Sequence, residues 1–370
     1  MRLGFACHWT QPRESTWSGT PWRLRRALMN LVNLMDVGAE LSWPVRPVLR
    51  LAGARRTRNG WVSTWRYGRP ALALVEADLC RAVQKAQPDV VLEIQDLAVL
   101  EVPFLVFQDL SYSLLLERFG PDGIPHFRAL GRRRIDALRR RQERIYDGAA
   151  CLLPMSRWMA RNLAGMGVLQ DRIQIVNPGI NAEVPADQPV PLRRQSAVSR
   201  LLMVGRDFDT KGGAQLVSAF RLLRRDLGQK ITLTIAGPRT WPLRSEIPQG
   251  VDFLGQQPVQ AIASLMDSHD LFVMPSLFEG FGIAFAEALV RGLPCIGRDD
   301  CAMPEIIDES SGGRLVRTES PQELADLIAE TLADDGLYAA CAAAVPLRRA
   351  HYRWSRAAQQ VVQIGNKLMN

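Results

Sequence analysis

Two stretches of the sequence combine residue types that can hold negative charge and hydroxyl groups. The first is LLMVGRDFDTKGG, residues 201–213. A strand-like apolar run ends at Gly205, Arg206 and Lys211 follow in a polar turn, and Gly212 and Gly213 open a helical pattern. Strand, loop and helix N-terminus together make an anion site, because backbone N–H groups and the helix dipole favour negative charge and two basic side chains add to it. A solvated basic loop is the alternative. The second stretch is PSLFEGFGIAFAEALVRGLPCIG, residues 275–297. Pro275-Ser276 leads into a loop with Glu279, Gly280, Phe281 and Gly282, and a predicted helix starts near Ile283 and contains Glu287. The glycines let a ligand come close to the backbone.

Eight residues separate Glu279 from Glu287. At helical rise they lie ~12 Å apart, beyond the ~5–9.5 Å of paired glycosidase carboxylates. They do not form one acid/base pair. They suit two ends of one long ligand, such as the sugar and the ribose of a nucleotide sugar. The alternative is an acid at a helix start plus a surface acid. Glu287, however, sits among Ala and Leu, and a carboxylate in such surroundings needs a partner.

The elements that must position these residues read as alternating strands and helices. Strand-like runs fall at 2–7, 90–94, 103–107, 149–153, 173–176, 201–204, 231–236, 251–254, 271–274, 294–297 and 314–316. Helical patterns fall at 20–34, 71–87, 126–146, 156–165, 213–226, 258–267, 282–291 and 320–333. Such alternation predicts an α/β protein with parallel sheets. At 370 residues the chain is long enough for two domains. The proline-rich run 178–200 reads as the linker between them. The expected domains are 1–182 and 183–350, two Rossmann-like doubly wound units facing a cleft, with a C-terminal helix at 351–370 packing back on the first. Trp354, Ala358, Val361 and Val362 form the apolar side of that helix.

Composition excludes several classes. The apolar fraction of 47% and mean hydropathy of −0.06 fit a globular chain, not a disordered or collagen-like one. No apolar run approaches the ~18 residues of a spanning helix, and MRLGFACHW lacks the apolar core of a signal peptide. The six cysteines form no C-x-x-C pair and the four histidines do not cluster with them, so neither a zinc site nor a disulfide framework is expected. A cytoplasmic location fits, with peripheral association at the inner face of the membrane.

The charge is uneven. Residues 1–185 hold 26 Lys+Arg against 17 Asp+Glu, and residues 186–370 hold 20 against 21. The first half carries the whole surplus, which points to an anionic partner there. Eight arginines crowd 126–146 around Phe127, Leu130, Ile135, Leu138 and Ile145. One possibility is a solvated helix with an apolar stripe in the core. Another is a patch for an anionic membrane surface or an anionic glycan or lipid-linked acceptor. Nucleic acid is not expected, since no interleaved aromatic pattern accompanies the arginines.

The second half resembles the retaining glycosyltransferases of family 4, the group 1 glycosyl transferases of GT-B fold. The resemblance runs through VGR…KGG, FLGQQPVQAIASLMDSHDLFVMPS, the E-x7-E element of Glu279 and Glu287, and MPEIIDESSGGRLV at 303–316. It implies a hexosyltransferase that moves a sugar from a UDP-, GDP- or ADP-linked donor to an acceptor hydroxyl with retention, in polysaccharide or glycolipid biosynthesis, without a metal or other cofactor. Arg206 and Lys211, beside Gly205, would bind the donor diphosphate. Glu279 would bond the donor sugar, Glu287 the ribose, and the backbone at Gly282 and Ile283 the phosphate or sugar. In the first half, WSGTPWRLRRAL is similar to the family's glycine loop, with Gly19 as the close-approach residue. A turn with a Ser/Thr N-cap is the other reading. PFLVFQDLSYS aligns with the family's strand ending in His-Asp. Gln108 stands where many members have His, and Gln donates and accepts hydrogen bonds but is neither acid nor base. Asp109 would orient the acceptor hydroxyl or cap the loop. His126 reads as a loop histidine. An epimerase or phosphorylase on the same fold, or a non-catalytic membrane-associated scaffold, are the competing functions.

Overall fold

Two parallel sheets, one in each of two units, organise the chain in a computed structural model that describes residues 1–38, 41, 45–57, 60–120, 130–185, 187–193 and 196–369. One unit is Met1–Asn177 with Trp354–Asn370, and the other is Pro178–Arg353. These divisions lie within five residues of those expected at 182 and 350.

The first unit contains β1 (Arg2–Ala6), α1 (Thr20–Met29), β2 (Asn33–Asp36), α2 (Val45–Ala52), β3 (Ala54–Thr57), β4 (Gly60–Ser63), α3 (Arg69–Ala86), β5 (Val90–Ile94), β6 (Phe104–Gln108), α4 (Tyr112–Phe119), α5 (Arg132–Gly148), β7 (Cys151–Pro154) and α6 (Arg157–Gly165). Its sheet runs β2-β1-β5-β6-β7, all parallel. Every residue of β5 and β6 is buried, as strands covered by helices on both faces require. β3 and β4 pair as a separate antiparallel hairpin. Residues 173–176 do not form the expected strand. They contribute one bridge, Leu152 to Ile173, at the short edge strand β7. The helix expected from 20 to 34 stops at Met29, because the chain turns and enters β2 at Asn33.

The second unit contains β8 (Ser199–Val204), α7 (Gly213–Leu227), β9 (Ile231–Ala236), β10 (Val251–Gly255), α8 (Val259–Ser268), β11 (Leu271–Val273), α9 (Ile283–Leu289), β12 (Cys295–Arg298), α10 (Met303–Ile306), β13 (Gly313–Val316), α11 (Pro321–Ala333), α12 (Asp335–Ala343) and α13 (Val345–His351). The strand order is β10-β9-β8-β11-β12-β13, again all parallel. Leu201, Met203, Phe220, Leu233, Val273 and Ile296 lie in its core. The proline-rich run is not a free linker. The Arg193 guanidinium donates to the carbonyls of Met266, Asp267, His269 and Arg291 at 2.6–3.0 Å, strapping the run along this unit.

The last helix, α14 (Trp354–Lys367), returns to the first unit and packs on α1. Its buried stripe is Trp354, Ala357, Ala358, Val361 and Gly365, with Val362 at the margin. A Cβ at Gly365 would fall 2.8 Å from Met1 Sδ, the end of a side chain that can turn aside.

Beneath α5 the first unit buries a polar layer. Gln142 accepts from the Tyr112 N–H (2.7 Å) and donates to Asp96 (3.0 Å), while Arg141 donates to the Asp96 and Leu97 carbonyls and pairs with Glu76 (3.2 Å). Glu93, wholly buried on β5, accepts from the N–H groups of Leu97 (2.9 Å) and Ala98 (3.3 Å). Burial pushes its carboxyl up to about 8, with Asp96 adding to the rise and the two N–H groups and Arg141 opposing it. The folded chain therefore holds Glu93 protonated where the unfolded chain has already ionised. The stability this contributes is full below the ordinary carboxylate range and is lost as pH rises to about 8. Glu93→Gln is expected to flatten that decline, raising Tm by several degrees at pH 8.5 and little at pH 4. Thermal denaturation across that range checks it, and parallel curves for the two proteins would contradict it.

Candidate active site

In the second sheet the strand order reverses between β8 and β11, the two strands at its centre. Chain connections leave these strands in opposite directions, and a crevice opens at their carboxyl ends. Both chemically suggestive loops lie there. Residues 205–212 follow β8, and residues 274–282 follow β11.

The two loops are built against each other. The Leu277 N–H donates to the Thr210 carbonyl at 2.8 Å. Gly212 has φ +75°, and a Cβ there would fall against the Pro275 carbonyl oxygen. Gly212→Ala thus suffers both a left-handed backbone and a collision. It is expected to lose about 2 kcal/mol of stability and to part the two loops, as a fall in Tm and in ligand affinity would report. Gly205 gives room to a neighbour instead, since a Cβ would lie 2.7 Å from Lys211 Cγ. Within the first loop the Lys211 N–H donates to the Asp207 carbonyl (2.9 Å) and Thr210 Oγ1 to Asp207 Oδ2 (2.7 Å). Lys211 thereby turns across Gly205 toward the second loop, and Arg206 stands exposed on the same turn.

There Lys211 Nζ meets Glu279 Oε1 at 2.5 Å. The same oxygen accepts from Ser276 Oγ at 3.1 Å. Glu279 and Ser276 are buried, and Lys211 is half-buried. A cation and a carboxylate expected at adjoining parts of one ligand are thus in contact at the crevice. Gly282 (φ +91°) is the N-cap of α9, with no side chain capping it, so the first amides of α9, from Ile283 onward, follow a bare glycine turn.

Glu287 lies on α9 and is buried. The Asn181 N–H donates to its Oε1 at 2.8 Å. One turn on, Arg291 donates to the Glu287 carbonyl (2.9 Å) and to that of Ala182 (3.1 Å), fixing the helix against residues 181–182.

Two supporting residues were not singled out in the sequence. Asn181 fell within the supposed linker. Arg298 ends β12 and is buried. Its guanidinium donates to the carbonyls of Ser276 (3.2 Å), Pro275 (3.0 Å) and Thr318 (3.0 Å) and to Gln215 Oε1 (2.8 Å). It is the bolt under the Glu279 loop. An arginine closing a buried parallel strand at its carboxyl end was the available signal.

The remaining predicted residues belong to the first unit. Gly19 (φ 90°) is itself the N-cap of α1, and neither Ser18 nor Thr20 caps it. It follows Trp17 (φ 44°) and Ser18 (φ 57°), so three consecutive residues hold left-handed backbone, a costly arrangement that persists only where surroundings enforce it. Gln108 is fully buried, and its Nε2 donates to the Tyr146 hydroxyl at 2.5 Å. Gln108 thus lies inside the unit, and its Oε1 is buried with no hydrogen-bond partner among the described residues. Asp109 follows, half-buried and near enough to Tyr146 to help raise its pKa after burial, Asp96 and Tyr112. The cap of α4 is Ser111, which accepts from the Leu114 N–H (2.9 Å).

On the basic helix, Leu130, Ile135, Leu138 and Ile145 are buried as expected. Arg134, Arg139 and Arg141 are partly buried and bonded to the Tyr67 carbonyl, Glu143 and the Glu76–Leu97 region, while Arg132, Arg133, Arg140 and Arg144 are exposed. His126, Phe127 and Arg128 lie outside the described residues. Among the described residues no group of three or more His, Cys, Asp or Glu could hold a metal ion, and no helix is long and apolar enough to cross a membrane.

Residues 189–348 match the family model described as glycosyl transferases group 1. Among curated proteins, an amylovoran biosynthesis glycosyltransferase, AmsK of Erwinia amylovora, is 28% identical over 200 residues, covering 50% of this chain and 48% of its own. A D-inositol 3-phosphate glycosyltransferase of Paenarthrobacter aurescens is 31% identical over 219 residues, 53% of each chain. The chain thus spans about half the length of the curated relatives it matches. Solved structures extend the likeness of fold. WaaG, a glycosyltransferase involved in lipopolysaccharide biosynthesis, matches with TM-score 0.68 at 16% identity, over 98% of this chain and 99% of its own. Anabaena HepE in complex with UDP and glucose matches with TM-score 0.64 at 15% identity, over 99% and 100%. Residues 189–348 of this chain are thus similar to the group 1 glycosyl transferases, and the chain has an α/β fold of the GT-B kind with two parallel sheets.

Proposed function

We propose that the chain is a retaining glycosyltransferase that moves a sugar from a nucleoside-diphosphate donor to an acceptor hydroxyl in the synthesis of a surface glycan or glycolipid. The observation that carries this is the contact of Lys211 with Glu279 in the crevice between β8 and β11. A cation there faces the diphosphate whose charge grows as the glycosidic bond breaks, and stabilising that charge lowers the barrier. Arg206 adds a second cation from the same turn. Glu279, held by Ser276, accepts from a sugar hydroxyl once Lys211 swings to phosphate. Glu287 holds the ribose, and the Gly282–Ile283 backbone meets phosphate or sugar. With two cations on the leaving group, no metal is required. In the first unit, Gly19 allows close approach at the α1 turn and Asp109 orients the acceptor hydroxyl. Gln108 acts as a positioning residue through Tyr146.

The acceptor is anionic on the same reading. A cavity of about 680 Å³ between α3 and α5 is lined by five arginines (Arg69, Arg134, Arg140, Arg141 and Arg144) against Glu76, Glu143 and Asp147, and the net positive lining suits a phosphate or carboxylate group.

A thermal-shift screen with UDP, GDP, ADP and their sugars in EDTA tests the donor half. One nucleotide family is expected to raise Tm by mass action. Anomeric proton couplings in the product, matching those of the donor sugar, test retention. No shift with any nucleotide, or an inverted anomer, would overturn the respective part.

A further inference from the structure

Between Glu40 and Glu76 the sequence has seven arginines and no acidic residue. This stretch contains α2 and the β3–β4 hairpin, inserted between β2 and α3. It is stitched together from within. The Gly53 N–H donates to the Leu49 carbonyl (2.9 Å), the Thr64 N–H to the Gly53 carbonyl (3.1 Å), and Ser63 Oγ to the Arg50 carbonyl (2.7 Å). A Cβ at Gly53 would lie 2.7 Å from the Trp65 backbone, so the end of α2 sits tightly on residue 65. Yet α2 buries none of its residues. Val48 is 66% exposed, Leu51 80% and Trp61 74%, and Arg50, Arg56 and Arg66 are exposed beside them.

We infer that residues 45–57 and 60–66 dock the protein on an anionic lipid bilayer, with Val48, Leu51 and Trp61 entering the interface and Arg50, Arg56 and Arg66 meeting lipid phosphates. This goes beyond the proposed transferase reading, and it moves the membrane contact expected of residues 126–146 to the excursion. Three exposed apolar side chains on a short helix and a hairpin have nothing to gain from water. A bilayer interface takes in aliphatic groups and an amphipathic tryptophan together. The unopposed positive charge matches anionic headgroups, at about fivefold in affinity per arginine near the surface. Arg50 and Arg46 stand near enough to Arg66 to help lower its pKa, after burial and against the opposing effect of Tyr67. An anionic partner relieves that repulsion. Nucleic acid would use the arginines and Trp61 but not Val48 and Leu51.

The test is flotation of the full-length chain with phosphatidylcholine vesicles, with and without phosphatidylglycerol. Wild type is expected to float only with the anionic vesicles. The triple variant Val48→Ser, Leu51→Ser, Trp61→Ser should bind at least about tenfold more weakly, and Arg50→Gln, Arg56→Gln, Arg66→Gln about a hundredfold at low salt. Arg132→Gln, Arg133→Gln, Arg140→Gln, Arg144→Gln on α5 should stay within about twofold of wild type. All these positions are exposed, so Tm and circular dichroism should be unchanged. The inference is overturned if neutral vesicles bind as well, if both excursion variants still float, if the α5 variant alone loses binding, or if a single-stranded oligonucleotide binds through 45–57 and 60–66 in place of vesicles. None of these readouts uses a nucleotide sugar, so the transferase proposal stands or falls separately.

Discussion

Lys211→Ala is expected to lower kcat by about 100- to 1,000-fold while leaving the fold in place. The lysine is half-buried at the mouth of the crevice and pairs directly with Glu279. Its stem rests over Gly205 and not in the core, so truncation opens little space. Glu279 keeps Ser276 as donor, which limits the stability loss to about 1–3 kcal/mol. The cation acts on charge that develops only as the diphosphate leaves, so kcat and kcat/KM should fall together. Steady-state kinetics with a matched circular dichroism spectrum checks this. A kcat within about twofold of wild type would remove Lys211 from its assigned role. Gly205→Ala should give a milder version of the same defect, because it displaces the Lys211 stem without removing the charge.

Arg298→Ala is expected to be the most destabilising change near the site, by about 3–5 kcal/mol. The buried guanidinium serves Ser276, Pro275, Thr318 and Gln215 at once. Of these acceptors the Thr318 carbonyl keeps Gln215 Nε2 as donor (3.1 Å), while the Ser276 and Pro275 carbonyls lose the guanidinium in a buried setting, where each orphan costs about 1–3 kcal/mol. The loop carrying Glu279 hangs from two of them. Activity should fall alongside stability, and a variant that retains bulk but not charge, Arg298→Met, should recover packing without recovering turnover. Urea denaturation and donor affinity measure the two effects. Wild-type stability in Arg298→Ala would contradict the bolt.

The contrast between Lys211 and Arg298 shows what was legible in the sequence. Lys211 sits in a pattern whose geometry is local. A buried strand, a polar turn and a glycine-started helix can be placed from thirteen residues, and the loop forms as that pattern requires. Glu287 announced a need for a partner by its apolar neighbours. One partner, the Asn181 backbone, comes from more than a hundred residues away, and residues 178–200 looked like linker because prolines hide their packing. Arg298 is legible only once β12 is known to lie beside β11, since its acceptors belong to another loop. The contact of Gln108 is hidden from the sequence for the same reason, as its Tyr146 partner lies 38 residues on, on a helix covering the sheet. Short elements were also lost. β2, β3 and β4 have four residues each, too few for periodicity to declare itself. Conversely, the apolar run 173–176 reads as a strand but finds only a four-residue edge to pair with.

The account rests on a nucleoside diphosphate bound at the crevice between β8 and β11. Calorimetric titration of UDP, GDP and ADP into the wild-type chain and Lys211→Ala, in EDTA, tests it most directly. One diphosphate should bind at one site per chain without metal, with its affinity reduced at least about tenfold by Lys211→Ala. Absence of binding by all three, or equal affinity in both proteins, would contradict it.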